Sequence, residues 1–274
     1  MRLEKASFAI FDVETTGLYP YSGDRICEIA AIRFALGSRK TERFHSLIDP
    51  GRPISEGAFM VNRITAQMVR GKPGIEEVLP GFLKFIEGNV LVAYNAGFDL
   101  GFLECALGGN RHILDDYRVI DALALARRLF PGIGGYSLAT VASALGISSS
   151  KAHRAMSDTI MTLGVFKKEL STLESRGAKT LDDISAIQRR RTVKIEAVKD
   201  YKIQLIEEAI REEKRLSITY YSSWNNKTTK RVVTPKEIQE GFNTSYLIAH
   251  CHLRDAERNF KLDGILDAKL EGDT

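Results

Sequence analysis

Apolar positions in the first 170 residues fall into two patterns. Nearly continuous apolar runs at residues 7–13, 26–34 and 90–94 are typical of strands covered on both faces, and shorter strands are predicted at residues 43–48 and 119–120. The close spacing of the second and third strands favours an antiparallel pair beside the first. Helical spacing predicts helices at residues 75–86, 98–107, 122–129, 138–145 and 154–170. This order predicts an α/β domain with a mixed sheet flanked by helices.

The pattern changes near residue 172, where a polar segment is followed by a basic stretch at residues 189–202. Ile203, Ile206 and Ile210 then line one helical face, and after residue 215 the apolar period becomes two. We therefore predict three parts: an α/β domain at residues 1–171, a helical connector at residues 172–202, and a small β-rich unit with a leading helix at residues 203–274.

Composition excludes several classes of protein. The 274 residues carry 39 Lys and Arg against 35 Asp and Glu, and a net charge of +4 does not by itself indicate nucleic-acid binding. The three cysteines are far apart and form no C-x-x-C pair, so neither a disulfide framework nor a zinc site is expected. Because there is no apolar run of about 18 residues and no signal-peptide core, we expect a cytoplasmic protein without a membrane partner.

Candidate chemistry begins at the end of the first predicted strand. Asp12 and Glu14 are two residues apart on an extended segment, so their side chains share one face. Two carboxylates that close repel each other unless a cation lies between them, and their oxygens suit Mg²⁺ or Mn²⁺. For this pair alone, solvated acids at a strand end are the commoner interpretation.

Two further acids follow other predicted elements. Asp99 lies in the first turn of a predicted helix, where it could simply complement the helix dipole. His153 precedes Asp158 by five residues, which fits a histidine on a loop and an aspartate on the following helix. A loop histidine near carboxylates is a natural general base, although a lone histidine is more often structural.

Together, Asp12-x-Glu14, Asn95-x-x-Phe98-Asp99 and His153-x-x-x-x-Asp158, in this order, resemble the motifs of the DEDDh 3′–5′ exonucleases. This family includes the proofreading epsilon subunit of bacterial DNA polymerase III, and the resemblance covers about residues 5–170. It implies a ribonuclease H-like fold and a location in the bacterial cytosol or nucleoid.

The resemblance also implies a two-metal mechanism. Asp12, Glu14, Asp99 and Asp158 would hold two Mg²⁺ or Mn²⁺ ions, and His153 would take the proton of the attacking water. The product would be a nucleoside 5′-monophosphate. The residues expected at the 3′ nucleotide are Thr15, Thr16, Gly17, Leu18, Val61, Asn62, Asn95 and Phe98. Members of the family often carry histidine where this chain has Tyr94, which affects only a supporting contact.

Residues 216–270 resemble a WYL domain, a small Sm-like β-barrel. The resemblance rests on residues 218–221, 231–235, 246–251 and 258–263, with Ser245 at the position of the naming tryptophan and Gly264 where arginine is frequent. WYL domains are thought to bind nucleic acids or nucleotide-like ligands. A possible ligand pocket consists of Tyr220, Arg231, Tyr246, Arg254, Arg258 and Lys261. The alternative is scattered solvated charge, because acidic residues are interleaved.

The leading hypothesis is therefore a metal-dependent 3′–5′ exonuclease acting on single-stranded or frayed DNA ends, with a possible polymerase or repair partner. Because ribonuclease T and oligoribonuclease share the motifs, RNA is an alternative substrate. A third possibility is a non-catalytic sensor whose WYL unit binds a ligand and whose nuclease domain has lost its activity.

Overall fold

The computed structural model describes residues 1–38, 40–148, 154–189, 203, 205–222, 227–241 and 244–271. The chain divides into two compact units, Met1–Arg190 and Arg191–Thr274. Within the described ranges, none of the helices combines the length and apolar character that a bilayer span requires.

A five-stranded mixed sheet forms the centre of the first unit. Its strands are β1 (Ser7–Thr15), β2 (Ile26–Ala35), β3 (Thr41–Leu47), β4 (Val90–Ala93) and β5 (Val119–Asp121), in the order β3-β2-β1-β4-β5. β1 pairs antiparallel with β2, and β2 with β3, whereas β1–β4 and β4–β5 are parallel. The structure confirms the predicted mixed sheet, including the antiparallel pair beside the first strand.

Helices follow the strands in the predicted alternation. They are α1 (Glu56–Asn62), α2 (Ala66–Val69), α3 (Ile75–Ile86), α4 (Ala96–Leu107), α5 (Ala122–Leu129), α6 (Leu138–Ala144), α7 (Ala155–Ser175) and α8 (Leu181–Arg189). Side-chain caps fix several starts: Ser55 accepts from the Ala58 N–H, Ser137 from the Thr140 N–H, and Asp121 from two N–H groups of α5.

Aromatic residues fill both faces of the sheet. On one face, Phe8 of β1 packs between Phe34 and Phe166 of α7, with ring centroids 5.3 Å and 5.2 Å away. On the other, Phe11 meets Phe82 of α3 at 6.0 Å. Since successive side chains of a strand alternate between faces, β1 is buried on both sides.

The first unit extends beyond the predicted boundary at residue 171. α7 continues to Ser175, and α8 contributes Leu181 and Ile184 to the same core as Phe8. The backbone of Leu3 donates to Lys179 at 2.9 Å, so the chain start also covers this segment. Residues 172–189 therefore pack as part of the first unit, because their few apolar side chains find a partner surface that local composition does not reveal.

The second unit is a five-stranded antiparallel sheet with a short leading helix at residues 205–211. The strands are β6 (Leu216–Ser222), β7 (Lys227–Gly241), β8 (Thr244–Cys251), β9 (Ala256–Lys261) and β10 (Ile265–Leu270), in the order β10-β6-β7-β8-β9. Leu216, Ile218 and Phe260 are buried in its core with Ile206 of the helix. The predicted β-rich tail is confirmed.

Candidate active site

Asp12 and Glu14 lie near the carboxyl end of β1, the central strand of the first sheet. Antiparallel pairing places Asp12 opposite Ala30 and Glu14 opposite Glu28. Because alternate residues of a strand point the same way, both carboxylates leave the sheet on one face. A register shift between Glu14 and Thr15 ends the regular pairing with β2.

Asp158 meets these two acids from α7, where it lies in the first turn. One carboxylate oxygen from each of Asp12, Glu14 and Asp158 lies within 4.8 Å of the other two. We refer to these three half-buried residues as the acidic cluster. The sequence predicted this convergence of residues that are far apart along the chain.

Asp99 lies beside the acidic cluster, in the first turn of α4. It is only 2% exposed, and its Oδ1 accepts a hydrogen bond from the Val13 N–H at 3.0 Å. That bond ties the start of α4 to β1 between Asp12 and Glu14. All four predicted carboxylates are thus brought to one end of the sheet.

Burial is the main electrostatic influence on this site. It raises the pKa of Glu14 and that of Asp99 to about 8, with repulsion from Asp158 adding to both. Burial, followed by repulsion from Asp99, raises the pKa of Asp12 well above its usual range. A divalent cation would reverse this balance by favouring the ionised forms. An all-oxygen donor set with this mutual repulsion fits Mg²⁺ or Mn²⁺.

A fifth acid, Glu28, has a different environment. It is 1% exposed, yet Arg154 donates two hydrogen bonds to it, of 2.9 Å and 2.7 Å, and the Ala155 N–H donates a third at 3.1 Å. His45 Nε2 lies 2.7 Å from Glu28 Oε1. Although burial raises the pKa of Glu28, these hydrogen bonds outweigh it and hold the pKa below its usual value.

His153, the predicted general base, lies outside the described residues. Its neighbour Arg154 is described and immediately precedes α7. The predicted role of His153 therefore still rests on the motif and on its position in the chain.

The loop after β1 is held in a tight conformation by Asp24. Its carboxylate accepts hydrogen bonds from the Thr16 hydroxyl and the Tyr19 N–H, each at 3.1 Å. A Cβ placed on Gly17 would overlap the Asp24 carboxylate, so a larger residue there would displace this side chain. Thr15 and Thr16 are buried, whereas Leu18 is 47% exposed.

The remaining predicted substrate residues border this loop or the start of α4. Asn62 is buried, and its Nδ2 donates to the Thr15 carbonyl at 3.1 Å, which joins α1 to the loop. Val61 and Phe98 are half-buried. Asn95 has a left-handed backbone with φ of 70° at the start of α4, a strained conformation that is frequent at functional sites.

Tyr94 is the residue at which the resemblance led us to expect histidine. Its hydroxyl donates to the Tyr136 carbonyl at 2.8 Å, so it secures the segment before α6. The tyrosine at position 94 therefore makes a structural contact, and this contact is not with the acidic cluster.

Comparison with known families agrees with this geometry. An exonuclease family model matches residues 9–166, more than half of the chain. The chain belongs to the exonuclease family. Those residues include every one of the four converging carboxylates. A second family model, that of the WYL domain, matches residues 201–270.

Individual relatives of this exonuclease match between 60% and 66% of the chain. A DNA polymerase III subunit epsilon-like protein of Rhodobacter capsulatus is 42% identical over 184 residues, which are 65% of this chain and 26% of the relative. DNA polymerase III subunit epsilon of Treponema pallidum is 39% identical over 60% of this chain and 76% of its own length. The solved structure titled Exonuclease X in complex with 5′ overhanging duplex DNA is 30% identical, with a TM-score of 0.51, over 66% of this chain and 99% of that one. The chain spans about a quarter of the Rhodobacter protein.

In the WYL unit, two of the predicted pocket residues share an aromatic neighbour. Tyr220 meets Phe260 edge-on at 5.1 Å, and the guanidinium of Arg231 lies 5.9 Å from the same ring. Arg231 also donates to the Thr229 hydroxyl at 3.0 Å. Tyr220 and Arg231 therefore both pack against the Phe260 ring of β9.

The other predicted pocket residues do not all share one surface. Arg258 and Lys261 are three residues apart on β9, whose pairing with β8 is regular, so they point to opposite faces. Tyr246 is the β8 partner of Lys261, and Arg254 is exposed in the turn between these strands. The pleat therefore separates the six residues into at least two groups.

Sequence reasoning missed three residues around the active site: Glu28, Arg154 and Asp24. Glu28 is the one acid in a strand segment, residues 26–32, that is buried throughout, and such a carboxylate requires a partner. The sequence therefore indicated that Glu28 needs a partner. It did not indicate that the partner is Arg154, because Arg154 is 126 residues away along the chain.

Proposed function

We propose that this chain is a two-metal-ion 3′–5′ exonuclease that hydrolyses the terminal phosphodiester of DNA at single-stranded or frayed 3′ ends. The observation that carries the proposal is the acidic cluster, whose three carboxylate oxygens lie within 4.8 Å of one another. Ionised carboxylates that converge from β1 and α7 repel one another, and a divalent cation bound among them would offset that repulsion.

In this proposal, Asp12, Glu14, Asp99 and Asp158 would together hold two Mg²⁺ or Mn²⁺ ions. Such ions would supply Lewis-acid activation of the attacking water and charge stabilisation of the leaving 3′-oxygen. His153 accepts the proton of that water, which then attacks the terminal phosphorus. The bond from phosphorus to the 3′-oxygen of the preceding nucleotide breaks, releasing a nucleoside 5′-monophosphate.

The loop held by Asp24 would receive the 3′ nucleotide. Gly17 allows main-chain N–H groups to approach the terminal hydroxyl, and the exposed Leu18 offers an apolar contact to the base. Phe98, at the start of α4, would contact the base from the other element.

DNA is the substrate that the relatives favour. Two relatives are an epsilon-like protein and an epsilon subunit of DNA polymerase III, and a third, solved with duplex DNA, is 30% identical. A polymerase or repair partner is proposed on the same names. The WYL unit would bind nucleic acid or a nucleotide-like ligand.

The substrate class is tested by digestion of 5′-labelled single-stranded DNA, single-stranded RNA and mismatched duplex DNA with Mg²⁺ or Mn²⁺, beside an Asp12→Asn variant. We expect a ladder shortened from the 3′ end on DNA and no ladder with Asp12→Asn. A preference for RNA would reassign the substrate. An absence of metal-dependent digestion would support the non-catalytic sensor.

The WYL proposal has its own test. In full-length protein carrying Asp12→Asn to prevent digestion, Arg254→Gln with Lys261→Gln should weaken single-stranded DNA binding and lower the salt slope of log K by about 0.7 for each lost phosphate contact. Lys230→Gln combined with Lys269→Gln, two exposed lysines on β7 and β10, is the control with the same change in charge. If binding and slope match the control, these two residues are not part of a nucleic-acid site.

A further inference from the structure

Arg154 and Glu28 form a two-pronged ion pair beside the acidic cluster. Arg154 Nε donates to Oε2 at 2.9 Å and Nη2 donates to Oε1 at 2.7 Å. The Glu28 side chain is 1% exposed and that of Arg154 is 36% exposed. Paired hydrogen bonds to a buried carboxylate fix both position and direction, unlike an ordinary surface ion pair.

This pair also holds the backbone at the start of α7. The Ala155 N–H donates to Glu28 Oε2 at 3.1 Å, and the Arg154 carbonyl accepts from the Asp158 N–H at 3.0 Å. Glu28 itself lies directly opposite Glu14 in the pairing of β1 with β2. One carboxylate therefore links the first turn of α7 to the strand that neighbours the other two members of the acidic cluster.

Glu28 is an acid near the cluster whose oxygens are already engaged. Its two oxygens face Arg154, the Ala155 N–H and His45, whereas Asp12, Glu14 and Asp158 face one another. A carboxylate in this region can therefore have a structural role, as Glu28 does, or belong to the acidic cluster. Its hydrogen-bond partners determine which of the two applies.

We propose that Arg154 and Glu28 act as a positioning clamp that fixes the start of α7 against β2, so that Asp158 approaches Asp12 and Glu14 in a single geometry. The proposal rests on the exonuclease function proposed above. Neither residue of the clamp touches the reacting atoms; both act through the helix start that carries Asp158.

The test compares four variants of the full-length protein. Arg154→Met removes the clamp, and Arg154→Lys keeps the charge without the planar fork. Arg154→Met leaves the buried Glu28 carboxylate without its cationic partner. The double variant Arg154→Met with Glu28→Gln removes that buried charge as well. Arg118→Met is the matched control, because Arg118 forms a surface ion pair with Asp182 at 2.7 Å. Each is assayed for kcat and KM on single-stranded DNA, for Mn²⁺ affinity by calorimetry, and for thermal midpoint.

We expect Arg154→Met to lose about 10–100-fold in kcat and in Mn²⁺ affinity, the range seen when residues that orient metal ligands are removed. KM should change little, since the loop held by Asp24 remains, and Arg154→Lys should lie between wild type and Arg154→Met. The double variant should recover the thermal midpoint but not kcat.

Two results would overturn the clamp. One is an Arg154→Met protein whose kcat and Mn²⁺ affinity match those of Arg118→Met. The other is a double variant that regains kcat together with its thermal midpoint, which would assign the pair to stability alone. A wild type that neither binds Mn²⁺ nor digests DNA would instead contradict the exonuclease function itself.

Discussion

Glu169 of α7 is a buried acid whose removal should stabilise the protein at neutral pH. It is 0% exposed, and neither of its carboxylate oxygens has a hydrogen-bond partner among the described residues. Burial, followed by repulsion from Asp121, raises the pKa of Glu169 well above its usual value of about 4.5. The folded state therefore keeps a proton that the unfolded chain has already released, and stability must fall as pH rises above that value.

The size of the effect follows from proton linkage. One proton bound only in the folded state changes stability by about 1.4 kcal/mol per pH unit, so the loss between about pH 4.5 and pH 7 is at most about 3 kcal/mol. Glu169→Gln cannot ionise, so its advantage over wild type should be near zero at about pH 4.5 and should grow toward that limit at neutral pH. Glu169→Met, which also removes the unpaired polar atoms, should add about 1–3 kcal/mol at both pH values.

The assay is urea unfolding followed by circular dichroism at about pH 5 and about pH 7.5. Glu174→Gln, an exposed acid on the same helix, is the control and should change stability by less than about 0.5 kcal/mol at either pH. An advantage of Glu169→Gln that is equal at both pH values would refute the argument, because the protonation of Glu169 would then not be coupled to folding.

The remaining predictions concern the active site and its loop. Mn²⁺ should raise the thermal midpoint more at about pH 8 than at about pH 5.5, because burial raises the pKa of Glu14 to about 8 and protons compete with the ion. A chelator should reverse the shift, and equal shifts at both pH values would contradict this competition. Gly17→Ala should raise KM in steady-state digestion, because the added Cβ would overlap the Asp24 carboxylate, and an unchanged KM would show that the loop does not receive substrate. Asn62→Ala should cost about 1–3 kcal/mol in urea unfolding, because the Thr15 carbonyl and the Ile64 N–H lose their buried partner; a cost below about 0.5 kcal/mol would count against this anchoring role.

Local pattern was sufficient to predict the strands and helices of the mixed sheet, whereas the four carboxylates were singled out only by the order of three motifs, because each acid taken alone has a commoner structural interpretation. The apolar run of β1 ends at Asp12 and Glu14, and the helical pattern that follows residue 153 carries Asp158. The order of the three motifs along the chain indicated that the strand and the helices carrying these acids meet at one site. The antiparallel tail was similarly visible in its period of two.

Contacts between distant segments could not be predicted in the same way. The polar composition of residues 171–179 suggested a connector, yet Leu181 and Ile184 pack into the core with Phe8. The Arg154–Glu28 pair joins residues 126 positions apart. By contrast, the opposite faces of Arg258 and Lys261 follow from strand pleat, and a stricter use of that period would have divided the predicted pocket.

The most direct test of the central claim is the release of the 3′-terminal nucleotide from 3′-labelled single-stranded DNA by the full-length protein in Mn²⁺. Wild type should release the label as a nucleoside 5′-monophosphate, and both Asp12→Asn and Asp158→Asn should abolish release while leaving the circular dichroism spectrum unchanged. Release by either variant at the wild-type rate would contradict the assignment of the acidic cluster as the metal centre of the exonuclease.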